Sequence, residues 1–177
     1  MKVLGIDPGS ETLGWGVVEG AGLKYGLVAY GTIKSSAKER FSKRLLKAAD
    51  GIEALIAEYK PEVLSIEEAF YAVNVNVALK LGQVRGVALL AAERARIEIA
   101  EYSPKLIKQT VVGYGGADKQ QVQHMVRLLL RLAKIPEPYD AADALAVAIT
   151  YFHHAGMAEK IKNAKSGKVE KWKREKV

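Results

Sequence analysis

The first thirty-four residues constrain the fold of this chain more than any other stretch. Residues 2–7, 12–19 and 23–34 are rich in β-branched, aromatic and apolar residues and read as three strands. The links between them, Asp7-Pro8-Gly9-Ser10 and Glu19-Gly20-Ala21-Gly22, are turn sequences too short to carry a crossover. An antiparallel meander is therefore expected at the start of the fold. From Ala37 the period lengthens, with Phe41, Leu45, Ala48, Ile52, Leu55, Ile56 and Tyr59 recurring at helical spacing until Lys60-Pro61 stops the run.

Residues 63–67 form a short apolar strand, residues 73–96 a long helix and residues 97–102 a fifth strand, and helices follow over 103–111, 119–133 and 139–152. This order describes an α/β chain with a mixed five-stranded sheet flanked by helices. The stretch 76–92 is apolar on more than one face and holds Gly82 and Gly86 four residues apart. It reads as a central core helix, with a subunit interface as the sharper alternative.

At 177 residues and 49% hydrophobic content, the chain supports one well-buried core, expected over residues 1–156. No uninterrupted apolar run reaches membrane-spanning length, and the first residues enter a strand without a signal-peptide layout. A soluble cytoplasmic protein is expected, with no membrane partner. The absence of cysteine excludes a disulfide frame, a thiolate metal site and a cysteine nucleophile. Of the net charge of +7, an excess of +5 lies in residues 159–177, which places most of the basicity in a tail, residues 157–177, expected to be flexible.

Four acidic residues stand where elements begin or end. Asp7 closes the first strand before Pro8-Gly9, Glu67 closes the strand 63–67 beside Glu68, and Asp140 and Asp143 sit three apart at a helix start. Each has an ordinary explanation: Asp7 as a turn former, Asp140 as an N-cap and Asp143 at the third helical position. Strand alternation points one of Glu67 and Glu68 inward. The apolar neighbours of all four argue against a solvated surface. Crowded together, each carboxylate pair ~5 Å apart costs about 3 kcal/mol at an effective dielectric of 20, which calls for a neutralising cation. An oxygen-only cage of this type suits magnesium and metal-assisted phosphodiester hydrolysis.

The strings Gly5-Ile6-Asp7-Pro8-Gly9-Ser10, Ile66-Glu67-Glu68-Ala69-Phe70, Ala78-Leu79-Lys80-Leu81-Gly82-Gln83-Val84-Arg85-Gly86, Lys108-Gln109-Thr110-Val111-Val112-Gly113, Gln121-Val122-Gln123-His124-Met125-Val126 and Asp140-Ala141-Ala142-Asp143-Ala144-Leu145 closely resemble the RuvC family of crossover junction endodeoxyribonucleases. The likeness runs in order from Lys2 to Phe152. It implies an RNase H-like fold, a homodimer, and magnesium-dependent nicking of two opposed strands of a four-way (Holliday) DNA junction. By position it implies Asp7, Glu67, Asp140 and Asp143 as catalytic ligands of two magnesium ions, with manganese as a substitute. It implies Lys108 and Lys119 near the scissile phosphate and Phe70 stacked on bases opened at the junction. Family relatives also cooperate with the RuvAB branch-migration motor. Glu68 stands where relatives carry glutamine and has no assigned role.

Two other readings compete. A first strand ending in an Asp-x-Gly turn, followed by a meander, also opens the actin-like and sugar-kinase ATPases, but these need two such domains and a second Asp-Gly phosphate turn. A non-enzymatic junction binder, whose acids merely cap and turn, is the other.

Overall fold

Residues 1–68 and 74–155 are described by the structure, a computed structural model. The meander forms as expected from β1 (Lys2–Asp7), β2 (Thr12–Ala21) and β3 (Lys24–Lys34). Helix α1 (Phe41–Tyr59) leads to β4 (Val63–Glu67), α2 (Val75–Ala95) to β5 (Glu98–Tyr102), and α3 (Pro104–Val112), α4 (Lys119–Leu129) and α5, helical over residues 139–155, complete the order. The sheet runs β3-β2-β1-β4-β5, antiparallel through the meander and parallel from β1 outward to β5. The basic tail and the domain limit at residue 156 lie outside the described residues, as does Phe70.

The helix ends follow local chemistry. Asn74 caps α2 by accepting from the amides of Asn76 and Val77, and Ser103 caps α3 ahead of Pro104. Asp118 and Gln121 form a reciprocal capping box on α4. Helix α4 stops at Leu129 instead of continuing to Ala133. Arg131 adopts a left-handed conformation (φ 54°), and the Leu132 amide closes back on the Arg127 carbonyl in a Schellman-type end. The apolar run beyond it buries Leu130 without remaining helical.

Alternation along the strands divides the core in two. Val3, Val18 and Val63 face α3, α4 and α5. Leu4, Ile6, Val17, Leu64 and Ile66 face α1 and α2. Helix α5 is the most enclosed element, with every residue from Ala144 to Phe152 buried. It lies in a trough of small residues. A Cβ on Gly5 would collide with the Ala144 carbonyl and come within 2.9 Å of the Ala148 Cβ, and one on Gly14 would strike the Asp140 carbonyl. The buried Ser65 hydroxyl donates to the Val147 carbonyl at 3.0 Å from the same face.

Helix α2 departs from the expected core helix. Only Val84, Ala88, Ala91 and Ala92 are buried, while Val75, Val77, Leu79 and Leu90 are exposed and Gly82 and Gly86 look into open space. Its length and mean hydropathy of 1.3 would suffice to cross a bilayer. The buried face instead joins it to the sheet and α1.

The trough makes a direct prediction. Gly5→Ala is expected to destabilise the protein by about 1–3 kcal/mol through overpacking against α5, seen as a lower urea midpoint at unchanged slope. Gly26→Ala, where a Cβ meets nothing within 4 Å, is the matched control and should be neutral or stabilising. Equal behaviour of the two variants would contradict the trough.

Candidate active site

Strand register sets the first half of the site. Asp7 pairs with Gly14 of β2, and Gly14 lies directly beneath the Asp140 backbone of α5. On the other side β1 pairs with β4 in parallel as far as Ile6 opposite Ile66, so Asp7 and Glu67 end adjacent strands at the same edge. Alternation puts both on the α5 face: Val3, Gly5 and Asp7 in β1, and Val63, Ser65 and Glu67 in β4. Glu67 is thereby the inward glutamate. Glu68 is exposed, donates its amide to the Tyr102 carbonyl, and flanks a neighbouring hollow toward α2.

Helix α5 supplies the second half. Asp140 lies within its first turn instead of capping it, because the helix already begins at residue 139 and the Ala141 and Ala142 amides reach back to the Pro138 carbonyl. Asp143 follows almost one turn later on the same face. One cleft is lined by Asp7, Glu67, Asp143, Lys108 of α3 and Lys119 of α4, with Leu81 of α2 along one wall. Asp140 does not line it, but its charge is felt at Asp7 and Asp143.

The electrostatics are those of an over-acidic, poorly hydrated pocket. Asp7 retains some exposed surface, but protein surrounds most of it. Desolvation first, then the charges of Asp143, Glu67 and Asp140, raise its pKa to about 8, against an opposing pull from Lys119. Desolvation and Asp143 raise Glu67 to about 7, with Lys108 and Lys119 opposing. Asp143 is also raised, chiefly by desolvation, although its ion pair with Lys119 at 3.3 Å works the other way. At Lys119 desolvation disfavours the ammonium, but Asp143, Asp7 and Asp140 outweigh it and its pKa rises.

The donors in this pocket are all hard oxygens, which fits an oxygen-preferring divalent cation. Among the described residues no three acidic or imidazole side chains already stand at ligating spacing. The Lys119 ammonium supplies a neutralising charge beside Asp143.

The histidines stay away from the cleft. His153 Nε2 shares a hydrogen bond with the Tyr25 hydroxyl at 2.8 Å, His154 Nε2 with Thr110 Oγ1 at 3.3 Å, and His124 is exposed on α4. Two arginines to which the sequence analysis assigns no role approach the site. Arg44 of α1 donates to the Ser10 carbonyl behind Asp7, and Arg85 of α2 donates to the Glu67 carbonyl at 3.2 Å. The glycine trough had a readable signal in the spacing Gly14-x-Gly16 opposite Gly5, whereas the arginines had none.

A family model described as crossover junction endodeoxyribonuclease RuvC matches residues 3–151. The enzyme of that name from Chloroflexus aggregans is 51% identical over 155 residues, covering 88% of this chain and 94% of the relative. Its counterpart from Caldanaerobacter subterraneus is 48% identical, covering 91% of this chain and 98% of the relative. The solved structure of Thermus thermophilus RuvC in complex with a Holliday junction substrate superposes with a TM-score of 0.84 at 36% identity, covering 89% of this chain and 96% of that one. With its mixed five-stranded sheet, its acidic strand ends and these matches over nearly the whole fold, the chain belongs to the RuvC family of crossover junction endodeoxyribonucleases.

Proposed function

We propose that this protein resolves four-way DNA junctions by divalent-metal-dependent hydrolysis of phosphodiester bonds, nicking two opposed strands. The strongest support is the single cleft that holds Asp7, Glu67 and Asp143 together with Lys108 and Lys119. Acids alone would repel a phosphate backbone; acids combined with lysines suit a bound cation and a phosphate side by side. The family relatives carry the endonuclease name, and one of them is solved with a Holliday junction.

Asp7, Glu67, Asp140 and Asp143 would hold the metal, with magnesium as the physiological ion and manganese as a substitute. When bound, such ions lower the pKa of a coordinated water and neutralise charge on the phosphodiester. The protein's own groups orient the phosphate. Lys108 projects from α3 across the cleft, and Lys119 stands at the first turn of α4, where the Asp118–Gln121 box fixes its backbone. Neutralising Asp143 frees the Lys119 ammonium for a phosphate oxygen. Phe70 is assigned, by family resemblance, to stacking on unpaired bases at the junction.

Two opposed cuts require two cages related by symmetry, and the open face of α2 supports a homodimer. Val75, Leu79 and Leu90 offer apolar surface there, and Gly82 and Gly86 permit close backbone approach. Action in the cytoplasm with the RuvAB branch-migration complex follows from family resemblance.

Asp7→Asn is expected to retain junction binding while junction nicking in magnesium falls by about 100- to 1000-fold or more, the scale of losing a central electrostatic stabiliser. Retained nicking would sink the cage assignment. The same variant has a readout without DNA or metal. Unfolded, Asp7 ionises near pH 3.9, whereas folded it holds its proton to about pH 8. The parent therefore loses stability through Asp7 progressively between these values; Asp7→Asn removes that contribution and keeps those of Glu67 and Asp143. In chelator, Asp7→Asn should be more stable by about 3–5 kcal/mol at pH 8 and nearly equal to the parent near pH 4. A stability difference that does not vary with pH in urea melts would contradict the desolvated, like-charged environment.

Leu79→Glu places like charges against each other across the proposed two-fold interface. The dimer dissociation constant should rise about 100-fold by sedimentation equilibrium. A dimer of unchanged affinity would move the interface elsewhere.

A further inference from the structure

Two arginines reach the acid-bearing strand ends from the helical layer opposite α5. Arg85 of α2 donates from Nε to the Glu67 carbonyl at 3.2 Å, and its Nη2 pairs with the Glu101 carboxylate of β5. Arg44 of α1 donates from Nη2 to the Ser10 carbonyl, in the turn that follows Asp7. Both side chains are largely withdrawn from solvent, Arg44 at 8% exposure and Arg85 at 18%. Neither holds a carboxylate of the cleft. Both hold backbone beside one.

We propose that Arg85 is a positioning residue that fixes the backbone from which Glu67 enters the metal cage. This rests on the cage reading of Glu67 given above. The strand end needs such a tether. β1 pairs with β4 only as far as Ile66, so at Glu67 the strand has a neighbour on the β5 side alone, through Tyr102. The Glu68 amide makes one further bond to the Tyr102 carbonyl. Glu67 thus sits at a half-paired edge, where its peptide could tilt and carry the carboxylate out of register with Asp7.

The guanidinium suits this task because it is a planar fork. Nε and Nη2 donate in fixed directions at once, so Glu101 sets the rotation of the fork and the fork sets the Glu67 peptide. Lysine can keep the ion pair with Glu101, but its single ammonium cannot reproduce both contacts in that geometry. The positive charge of Arg85 is already matched by Glu101, which leaves its influence on Glu67 geometric. Groups that orient a metal ligand without touching the metal commonly change affinity by about 10–100-fold. Helix α2 thereby joins a face open to a second subunit with a grip on one wall of the cage.

The test uses the full chain with manganese chloride alone, titrated calorimetrically without DNA, alongside urea unfolding and junction nicking. Arg85→Lys and Glu101→Ala are compared with Arg94→Gln, which removes a more exposed ion pair of the same helix, to Glu53. Arg85→Lys and Glu101→Ala should each weaken manganese binding about 10–100-fold and lower the nicking rate at saturating junction. Junction affinity in calcium should stay unchanged, and Arg94→Gln should match the parent throughout. Glu67→Gln separates two failures. If it weakens manganese binding while Arg85→Lys does not, the positioning role is overturned and the cage stands. If neither variant changes manganese affinity, the cage reading itself falls and the positioning role with it.

Discussion

The active-site geometry depends on how closely α5 approaches the sheet. A helix carrying large residues toward β1 and β2 would ride higher, and its first turn would clear the strand ends. Here Gly5 and Gly14 remove side chains from the strands, and Ala141, Ala144 and Ala148 keep the helix slim, so backbone meets backbone. Ser65 adds a hydrogen bond to the Val147 carbonyl from the neighbouring strand. The contact fixes the height of α5, while the pairing of Asp7 with Gly14 fixes its position along the sheet. Asp143 is thereby brought into the cleft with Asp7, and Asp140 close enough for its charge to be felt there.

That closeness loads the fold with electrostatic cost. Asp7 and Glu67 are desolvated and surrounded by like charge, and both hold protons well above the usual carboxylate range. A sequence optimised only for stability would place asparagine or an apolar residue at these positions. The strain is confined to the cleft because the strand ends are built into a rigid sheet whose interior residues are nearly inaccessible. Lys119 relieves part of it through its ion pair with Asp143. On the proposed reading one side chain would serve two purposes: a counter-charge to Asp143 without metal, and a phosphate contact once metal takes over that role.

Much of the scaffold was legible in the sequence because periodicity and turn chemistry act locally. The short glycine links forced the meander and Lys60-Pro61 ended α1, while alternation left Glu67 and Glu68 both open as the inward member and family resemblance chose Glu67. What failed depended on partners distant in sequence. Residues 130–133 kept an apolar pattern but left the helix, since burial of Leu130 does not require helical backbone. The helix begins at residue 139 as its pattern suggested, which leaves Asp140 inside the first turn and not at the N-cap that its residue type resembles. Helix α2 looked like a core element because hydropathy cannot tell a face buried against the sheet from an apolar face left open. Lys108 and Lys119 were ordinary surface lysines until family resemblance marked them, and Arg85 carries no local signal, because its partners lie on two strands it meets only after folding.

The proposed two-fold symmetry would tie these features together. A four-way junction presents equivalent strands on opposite arms, and cutting both in register requires two identical cages held at a fixed separation. An isologous dimer supplies this without any further device, since whatever orients one cage orients the other. The proposed interface on α2 would draw its value from what that helix also touches. Its open face carries Val75, Leu79 and Leu90, and its other side packs against the sheet and reaches Glu67 through Arg85. Glu67 would then be positioned relative to the two-fold axis through a single helix instead of a flexible loop. Rigidity along that short path would set the spacing of the two cuts, and the fold would gain symmetry of cleavage from the same contact that orders its metal ligands.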